Sequence, residues 1–371
     1  MHNYEASLQR FATAIFGGIP DRVPVVFLTS EDVAARISGL TIREMMSSPE
    51  ILAEKTIPVN NFLGGDGMAL VVNPYCGPFE GLAWARANGR NDVFVWKDYT
   101  TPFIREGLLC KTEKDVDNLI VPDHSKVEPW PTLFKAMQIV QEKTGMGQSL
   151  APSLTWSSVQ MLRGAQAYID VKRNPDLLMK LCEKIYASQW DYYQAYSKMV
   201  EPPQTAFECC YAFNQHMLSF EDAWKFEGQF IVRFAKESGL PLVLHNCGFK
   251  PYHIELIEKL REEGVVILAV NGSHPLDIDW WVEFKKRFPG ITIMGGLHVN
   301  AEMENGTEED VENRVKEVIK KLGGKGRLVI TPTCCMPWRI PLNNIRAVVR
   351  AAEKYGKYPI NIMESLAKSL K

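Results

Sequence analysis

Residues 240–272 read LPLVLHNCGFKPYHIELIEKLREEGVVILAVNG, and this stretch decides the fold class. Two short apolar runs, at 242–244 and 265–270, have the length of strands, and the amphipathic run at 253–263 between them has the spacing of a helix. A strand, a helix and a second strand in this order are typical of a βαβ unit, in which the two strands are parallel. The stretch therefore predicts an α/β protein built on a parallel sheet.

The same alternation continues on both sides of this stretch. Short runs rich in Val and Ile predict strands at Met68–Val72, Ala206–Cys209, Leu242–His245, Val265–Val270, Ile291–Met294 and Arg327–Ile330. Amphipathic runs between them predict helices at Ala223–Ser238, His253–Glu263, Ile278–Arg287 and Glu308–Leu322. Strands that alternate with helices in this way indicate a sheet covered by helices.

The length of the alternating region favours a closed barrel. A TIM-type (β/α)8 barrel needs about 250 residues, and residues 66–371 provide them. We predict a single barrel domain over residues 1–371, with an N-terminal helical lead-in over 1–65, the barrel over 66–371 and an insertion after the first strand. A doubly wound open sheet is the alternative, although no Gly-x-Gly-x-x-Gly sequence follows the first strand.

The composition argues against several classes of protein. The 371 residues are 46% hydrophobic and 23% charged, which is typical of a chain with a large core. The net charge of -2 gives no surplus of cations for binding nucleic acid. The longest apolar runs are much shorter than the roughly 20 residues of a membrane span, and no signal peptide pattern opens the chain. We expect a cytoplasmic protein with reduced cysteines, no nucleic acid or membrane partner, and an open oligomeric state.

Polar or metal-binding side chains lie at the ends of five predicted strands. The chemistry of parallel barrels takes place at the carboxyl ends of the strands. The five strand ends carry Glu208, His245, Asn271, His298 and Cys334. Because these strand ends converge on one rim of a barrel, the sequence predicts a functional site there.

The sharpest motif at these strand ends is His245-x-Cys247. Alternate residues of a strand point to the same side, so an imidazole and a thiolate at this spacing can bind one ion. The third ligand is Cys334 or Cys335, and spacing alone does not choose between them. One His and two Cys leave zinc an open position, as in catalytic sites. Two thiolates favour zinc over magnesium or calcium.

Further residues are candidates for catalysis or substrate binding. Glu208 is the catalytic candidate, and it could act as a general base, a fourth zinc ligand in the resting state or a hydrogen-bonding wall residue. The substrate-binding candidates are Asn214, His216, Asn271, His298 and Tyr75. Tyr75 precedes an irregular region at 76–130 that we expect to form one wall of the pocket.

These motifs resemble the uroporphyrinogen decarboxylase superfamily, and within it the zinc- and corrinoid-dependent methyltransferases. The stretch at 18–25, GIPDRVPV, resembles the opening of the family, and residues 244–248, LHNCG, resemble the His-x-Cys-Gly metal motif of the methyltransferases. Residues 331–345 resemble their closing segment, in which the ligand Cys stands seven residues before the Pro of a Pro-Leu pair. That position is Cys334, so the resemblance implies a TIM-type barrel with zinc held by His245, Cys247 and Cys334.

The resemblance also implies a reaction. Relatives move a methyl group between a small substrate and the cobalt of a corrinoid. The Asp-x-His-x-x-Gly motif of corrinoid-binding domains is absent from the sequence, so we expect a separate corrinoid protein as partner. Our preferred substrate is a methoxylated aromatic compound, which would be O-demethylated, because the chain supplies aromatic residues around the irregular region. These are Phe62, Tyr75, Phe79, Trp84, Phe94 and Trp96.

Three alternatives to this function remain. The first is methyl transfer from methylcobalamin to a thiol, of the coenzyme M type. The second is a reaction like that of uroporphyrinogen decarboxylase, although residues 26–32 contain no Arg for the carboxylates of a tetrapyrrole. The third is a zinc-binding barrel without catalytic activity.

Overall fold

Five parallel strands form the main sheet in the computed structural model, which describes residues 2–28, 31–71, 77–148, 150–151, 155–272 and 274–360. The strands lie side by side in chain order, each paired with the next. A two-stranded antiparallel hairpin lies apart from them. The strands are β1 Phe94–Val95, β2 Phe103–Ile104, β3 Ala206–Cys209, β4 Leu242–His245, β5 Ile267–Gly272, β6 Thr292–Leu297 and β7 Leu328–Pro332.

Helices precede the sheet and alternate with its strands. They are α1 Tyr4–Ile15, α2 Glu31–Ser38, α3 Ile42–Met45, α4 Pro49–Leu63, α5 Pro78–Ala87, α6 Glu113–Asn118, α7 Trp130–Thr144, α8 Thr155–Arg163, α9 Gln166–Arg173, α10 Pro175–Met199, α11 Phe220–Ala223, α12 Gln229–Ser238, α13 His253–Glu262, α14 Ile278–Arg287, α15 Glu308–Leu322 and α16 Leu342–Tyr355. A 3-10 turn spans Asn91–Val93, and π-helical turns span Trp224–Gly228 and Val299–Glu304. Among the residues that the structure describes, no helix is long and apolar enough to cross a membrane.

Three further segments extend the main sheet into a ring of eight. Val25 forms a parallel bridge with Ile330 on β7, and Leu150 forms one with Ala206 on β3. On the far side of Val25, its carbonyl accepts a 2.6 Å hydrogen bond from the N–H of Asp66. The segments around residues 25 and 66–71, together with residues 148, 150 and 151, therefore stand beside the five strands as in a TIM-type barrel.

The side-chain amide of Gln148 joins the last two segments of the ring. Its Oε1 accepts a 3.0 Å hydrogen bond from the N–H of Leu70, and its Nε2 donates to the carbonyl of Met68. The amide group thus bonds to the neighbouring backbone as a peptide group would in a sheet ladder. Because Gln148 is buried, these bonds also satisfy polar groups that have no access to water.

The C-terminal end of α1 covers the amino-terminal end of the barrel. Ala14 and Ile15 lie in one apolar cluster with inward-facing residues of four strands, among them Val243 and Met294. The hydroxyl of Thr292 donates a 3.0 Å hydrogen bond to the carbonyl of Ala14. One end of the barrel is therefore filled, and the opposite end, where the strands terminate, is the end available for a site.

Most of the predicted elements are confirmed. Two strands have the predicted bounds, and the three predicted from residues 265, 291 and 327 begin one or two residues later and extend further toward the rim. The helices predicted at 278–287 and 308–322 are confirmed with their bounds. The helix predicted over 223–238 is instead divided by the π-helical turn.

The expectations for the N-terminal third are only partly met. No strand ladder forms at residues 68–71, where the side chain of Gln148 makes the contacts, and Val72 lies outside the described residues. The ring takes in residues around Val25, which we expected in the helical lead-in, and the insertion follows the second ring segment. Tyr75 also lies outside the described residues. Phe79 and Trp84 are completely buried in the main core and form no wall of an open pocket.

A buried charge network holds the insertion against α10. His124 lies between two carboxylates, with Nε2 3.0 Å from Glu80 and Nδ1 2.8 Å from Asp191. Glu80 also accepts hydrogen bonds from Trp130 and Ser188. Burial by itself would lower the pKa of His124, but the charge of Glu80 and the hydrogen bonds to both carboxylates raise it to about 9.

This network should make the stability of the protein dependent on pH. The folded pKa of His124 lies above its unfolded value, so its stabilising contribution is complete below about pH 6.5 and is lost as the pH rises through about 9. We expect the difference in unfolding free energy between wild type and His124→Gln, measured by urea denaturation, to shrink between pH 6 and pH 9.5. A difference that stays constant over this range would contradict the charged state of His124.

Candidate metal centre

Three side chains from two distant parts of the chain converge at the carboxyl-terminal rim of the barrel. His245 is the last residue of β4, Cys247 follows two residues later, and Cys334 follows the end of β7. One ligand atom from each of the three lies within 4.8 Å of the other two. The structure therefore brings together the three residues that the sequence analysis proposed as ligands.

The ring of His245 is held in one tautomer by Asn271 on the neighbouring strand. Asn271 Nδ2 donates a 3.0 Å hydrogen bond to the carbonyl of Met294, so its Oδ1 faces His245 and accepts from Nδ1. His245 Nδ1 thus carries the proton, and Nε2 keeps the lone pair that a metal requires. Outer partners of this kind orient ligand histidines in metalloproteins.

Asn246 fixes the backbone that presents Cys247. Its Nδ2 donates 2.9 Å hydrogen bonds to the carbonyls of Cys210 and Phe213, in the loop that follows β3. Its Oδ1 accepts a 2.9 Å hydrogen bond from the N–H of Gly248. One buried side chain, that of Asn246, therefore ties the loop after β3 to the loop that carries the metal motif.

Gly248 is required by the close approach of these loops. A Cβ atom at this position would lie 1.3 Å from Nδ2 of Asn214. The glycine after Cys247 thus lets the neighbouring loop pack directly against the metal motif.

The charge state of Cys334 suits a metal ligand. Hydrogen bonds with Cys247 and Cys335 hold the pKa of the Cys334 thiol well below its usual range, against the effect of burial, and His245 contributes in the same direction. The thiolate is the form of cysteine that binds metals. Cys335 contacts Cys334 but is not among the three residues whose ligand atoms converge.

The donor set fits zinc. One imidazole and two thiolates are the ligand types that zinc prefers, and neither magnesium nor calcium favours sulfur. The described residues bring together three ligands, one fewer than the four of a structural zinc site, which leaves a fourth position for a substrate atom. The chemistry of the three side chains therefore fits a catalytic zinc ion.

Glu208 lies on the other face of β3 from these ligands. Phe207, its neighbour in the strand, stacks on the ring of His245 at 5.4 Å, which places Phe207 inside the barrel. Adjacent residues of a strand point to opposite faces, so Glu208 points outward. There it accepts a 2.7 Å hydrogen bond from Gln189 on α10 and is only 2% exposed. Its position contradicts our expectation that Glu208 would act in the pocket.

Burial also affects the ionisation of Glu208. It raises the pKa of the carboxyl group well above its ordinary value, and the hydrogen bond from Gln189 offsets only part of this. A carboxyl group buried between a strand and a helix is a packing element, because it is not accessible from the pocket.

We expect Glu208→Gln to leave both the metal content and the turnover close to those of the wild type. Glutamine keeps the shape of the side chain and an oxygen that accepts from Gln189. The check is a comparison of zinc content and initial rates for the two proteins. A large loss of rate with full zinc occupancy would restore a catalytic role for Glu208.

The described residues among the predicted substrate-binding candidates lie at different places around the barrel rim and do not form one cluster. Asn271 lies in the site, but as the partner of His245. Asn214 is buried against the metal loop, where it accepts a 3.3 Å hydrogen bond from the N–H of His216. The His216 side chain is exposed. His298 is half-buried on the rim, and its Nδ1 caps the following π-helical turn by accepting from Ala301.

Sequence reasoning missed Phe207 and Asn246. The signal for Phe207 was the alternation of β3, since the parallel register pairs Cys209 with His245 and places Phe207 on the same face. The signal for Asn246 was its position between two ligands, where a polar side chain must point away from the metal and find partners elsewhere.

Comparisons with known proteins agree with this architecture. The sequence matches a family model described as uroporphyrinogen decarboxylase (URO-D) over residues 6–355. A solved structure described as a methyltransferase from Methanosarcina mazei superimposes with a TM-score of 0.73, covering 96% of this chain and 99% of the other at 17% identity. At this identity the likeness shows a shared fold.

Two curated relatives, both from Methanosarcina mazei, are methyltransferases by name. A methylated-thiol–coenzyme M methyltransferase is 30% identical over 122 residues, which cover 33% of this chain and 30% of that protein. A methylcobamide:CoM methyltransferase, MtbA, is 25% identical over 244 residues, which cover 60% of this chain and 63% of that protein. The matched segments therefore span less than two thirds of each relative.

Proposed function

Because the chain belongs to the uroporphyrinogen decarboxylase family, whose model matches residues 6–355, we propose that it is a zinc-dependent methyltransferase that works with a separate corrinoid protein. The observation that carries this proposal is the convergence of His245, Cys247 and Cys334 at the open rim of the barrel. The names of the two curated relatives support it. Decarboxylation would make no use of this set of thiols and imidazole.

The three converging side chains would hold the zinc ion. When bound, zinc supplies a Lewis-acid position that polarises an oxygen or stabilises a thiol as its thiolate. Asn271 holds the proton on Nδ1 of His245, so that the lone pair on Nε2 is available to the ion. Asn246 keeps Cys247 in place. These residues build the site before any substrate arrives, so little ordering is needed on binding.

Apolar residues below the metal set would exclude water from the site. Phe207 stacks on His245, and Val243 and Met294 belong to the apolar cluster that fills the barrel. A small substrate bound at the rim would thus have its heteroatom at the metal and its apolar part against Phe207. Exclusion of water strengthens the electrostatic effect of the ion on the reacting atom.

The substrate that we favour is a small thiol. Both curated relatives are named for reactions that involve coenzyme M, and sulfur is a soft donor that suits a zinc ion with two thiolate ligands. Three of the aromatic residues that suggested a methoxylated aromatic compound, Phe79, Trp84 and Phe94, are instead buried in the core.

O-demethylation of a methoxylated aromatic compound is the second candidate. The observation that favours it is the aromatic side chain of Phe207 beside His245, against which a substrate ring can pack. In both candidates the methyl group moves between a substrate heteroatom and the cobalt of the corrinoid protein. The reaction would take place in the cytoplasm, where thiols remain reduced.

An assay with free cobalamin tests the proposal. The zinc-loaded protein is incubated without oxygen, either with methylcobalamin and coenzyme M or with reduced cobalamin and methoxylated aromatic compounds. We expect a change in the cobalamin spectrum in one of these reactions and none with Cys247→Ser. Absence of methyl transfer in both reactions, also when corrinoid proteins are supplied, would contradict the proposed function.

A further inference from the structure

The segment that carries Cys334 has no regular secondary structure of its own. Residues 333–340, which we name the cysteine loop, lie between β7 and α16 and form only bends and turns. His245 and Cys247, in contrast, end or directly follow a strand that is paired on both sides. The position of Cys334 relative to the other two ligands therefore depends on what anchors this loop.

The first anchor lies immediately before Cys334. The N–H and the hydroxyl of Thr333 both donate hydrogen bonds of 2.9 Å to the carbonyl of Leu297, the last residue of β6. Thr333 is buried, so water does not compete for these bonds. This anchor fixes the beginning of the cysteine loop to the neighbouring strand.

The second anchor comes from α2, which lies about 300 residues earlier in the sequence. Asp32 Oδ2 accepts a 2.9 Å hydrogen bond from the N–H of Trp338. Arg36 Nη1 donates to the carbonyls of Trp338 at 2.7 Å and Ile340 at 2.9 Å. Asp32 and Arg36 stand four residues apart and so lie on one face of the helix.

These contacts hold the far end of the cysteine loop by its backbone. Together the two side chains bind both the N–H and the carbonyl of Trp338, so they act on the path of the chain and not on one exposed side chain. Without them, the loop beyond Cys334 would keep fewer contacts, among them the 3.3 Å hydrogen bond from the N–H of Met336 to the carbonyl of Leu28, and metal binding would have to order more of the loop. The entropy of that ordering, about 1–2 kcal/mol for each residue fixed, would subtract from the affinity.

We propose that Asp32 and Arg36 are positioning residues for the metal site, because they hold Cys334 within reach of the ion that His245 and Cys247 bind. This inference rests on the proposed function, since it requires a metal ion at the three converging residues. Neither side chain is itself a ligand. Outer partners of metal ligands typically raise metal affinity by about 10–100-fold.

Metal binding by four variants tests this inference. Zinc affinity is measured by competition with a chromophoric chelator, and Co2+ loading reports the thiolate ligands through their charge-transfer absorption. We expect Arg36→Met and Asp32→Ala to weaken zinc binding by about 10-fold or more and to reduce the thiolate absorption of the Co2+ form. Asp32→Asn keeps an oxygen that accepts from Trp338 and should bind zinc nearly as the wild type does.

Arg163→Met is the matched control. Arg163 also donates to a backbone carbonyl, that of Cys110 at 2.8 Å, and pairs with Asp170, but it does not contact the cysteine loop. It should lower the stability without changing the zinc affinity. Wild-type affinity in Arg36→Met, or an equal loss in Arg163→Met, would overturn the inference. Should Asp32→Ala fail to fold, Arg36→Met decides the question, because the Arg36 side chain is exposed.

The same experiment separates this inference from the proposed function. A wild-type protein that binds neither zinc nor Co2+ with thiolate absorption would contradict both. A wild type that binds zinc with two thiolates, together with variants that bind it equally well, would contradict only the positioning role of α2.

Discussion

Replacing Cys334 by Ala should weaken zinc binding by more than about 100-fold and abolish methyl transfer, while Cys335→Ala should have a much smaller effect on both. Loss of even an outer partner of a metal ligand costs about 10–100-fold in affinity, so loss of a ligand should cost more. Cys334 is one of the three residues whose ligand atoms converge, and Cys335 is not. Zinc affinity and cobalamin spectra measure the two effects.

The fold should survive both substitutions. Cys334 lies beyond the end of β7 and takes no part in the strand pairing that forms the barrel. Circular dichroism and thermal unfolding of the metal-free proteins provide the control. If both variants lost zinc to the same extent, the third ligand would not be assigned to Cys334. If Cys334→Ala did not fold, the site would be structural.

Asp66→Ala should lower the free energy of unfolding by about 3–5 kcal/mol, the cost of leaving buried charges without their partner. Asp66 is 1% exposed and accepts hydrogen bonds from Arg10 at 2.6 Å, from Arg22 at 2.8 Å and from the N–H of Val25 at 2.9 Å. These contacts join α1 to the first two segments of the ring. Urea denaturation at neutral pH measures the change.

A surface ion pair provides the control for Asp66. Asp279 pairs with Lys321 at 2.7 Å, but its side chain is 73% exposed. We expect Asp279→Ala to change the unfolding free energy by less than about 1 kcal/mol, because solvent screens exposed pairs. Equal effects of the two substitutions would show that the buried cluster does not anchor the filled end of the barrel.

The sequence was sufficient to predict the elements whose local pattern of apolar residues matches their burial in the structure. The apolar run at 242–244 is buried and ends clearly, and the structure confirms the strands predicted at 206–209 and 242–245 with their bounds. His245 and Cys247 were predicted as ligands from their shared side of an extended chain, and Cys334 was preferred to Cys335 through the family resemblance; the structure brings the three side chains together.

Other features of the structure depend on contacts between distant residues, which a local sequence pattern does not reveal. Glu208 stands at a strand end like His245, but the register of β3 against β4 turns it toward α10. The side chain of Gln148 joins its own segment to residues 68–70, and such a contact leaves no strand-like pattern in the sequence. The anchors of the cysteine loop connect residues about 300 positions apart. In each case tertiary packing decides the role of the residue.

X-ray absorption spectroscopy at the zinc edge tests the central claim most directly, because it reports the atoms bound to the ion. For the zinc-loaded wild-type protein we predict two sulfur ligands at about 2.3 Å, one imidazole nitrogen at about 2.0 Å and one further light atom. The sulfur count should fall to one in Cys247→Ser and in Cys334→Ser. Failure to bind zinc, or a spectrum without two sulfur ligands, would contradict the account.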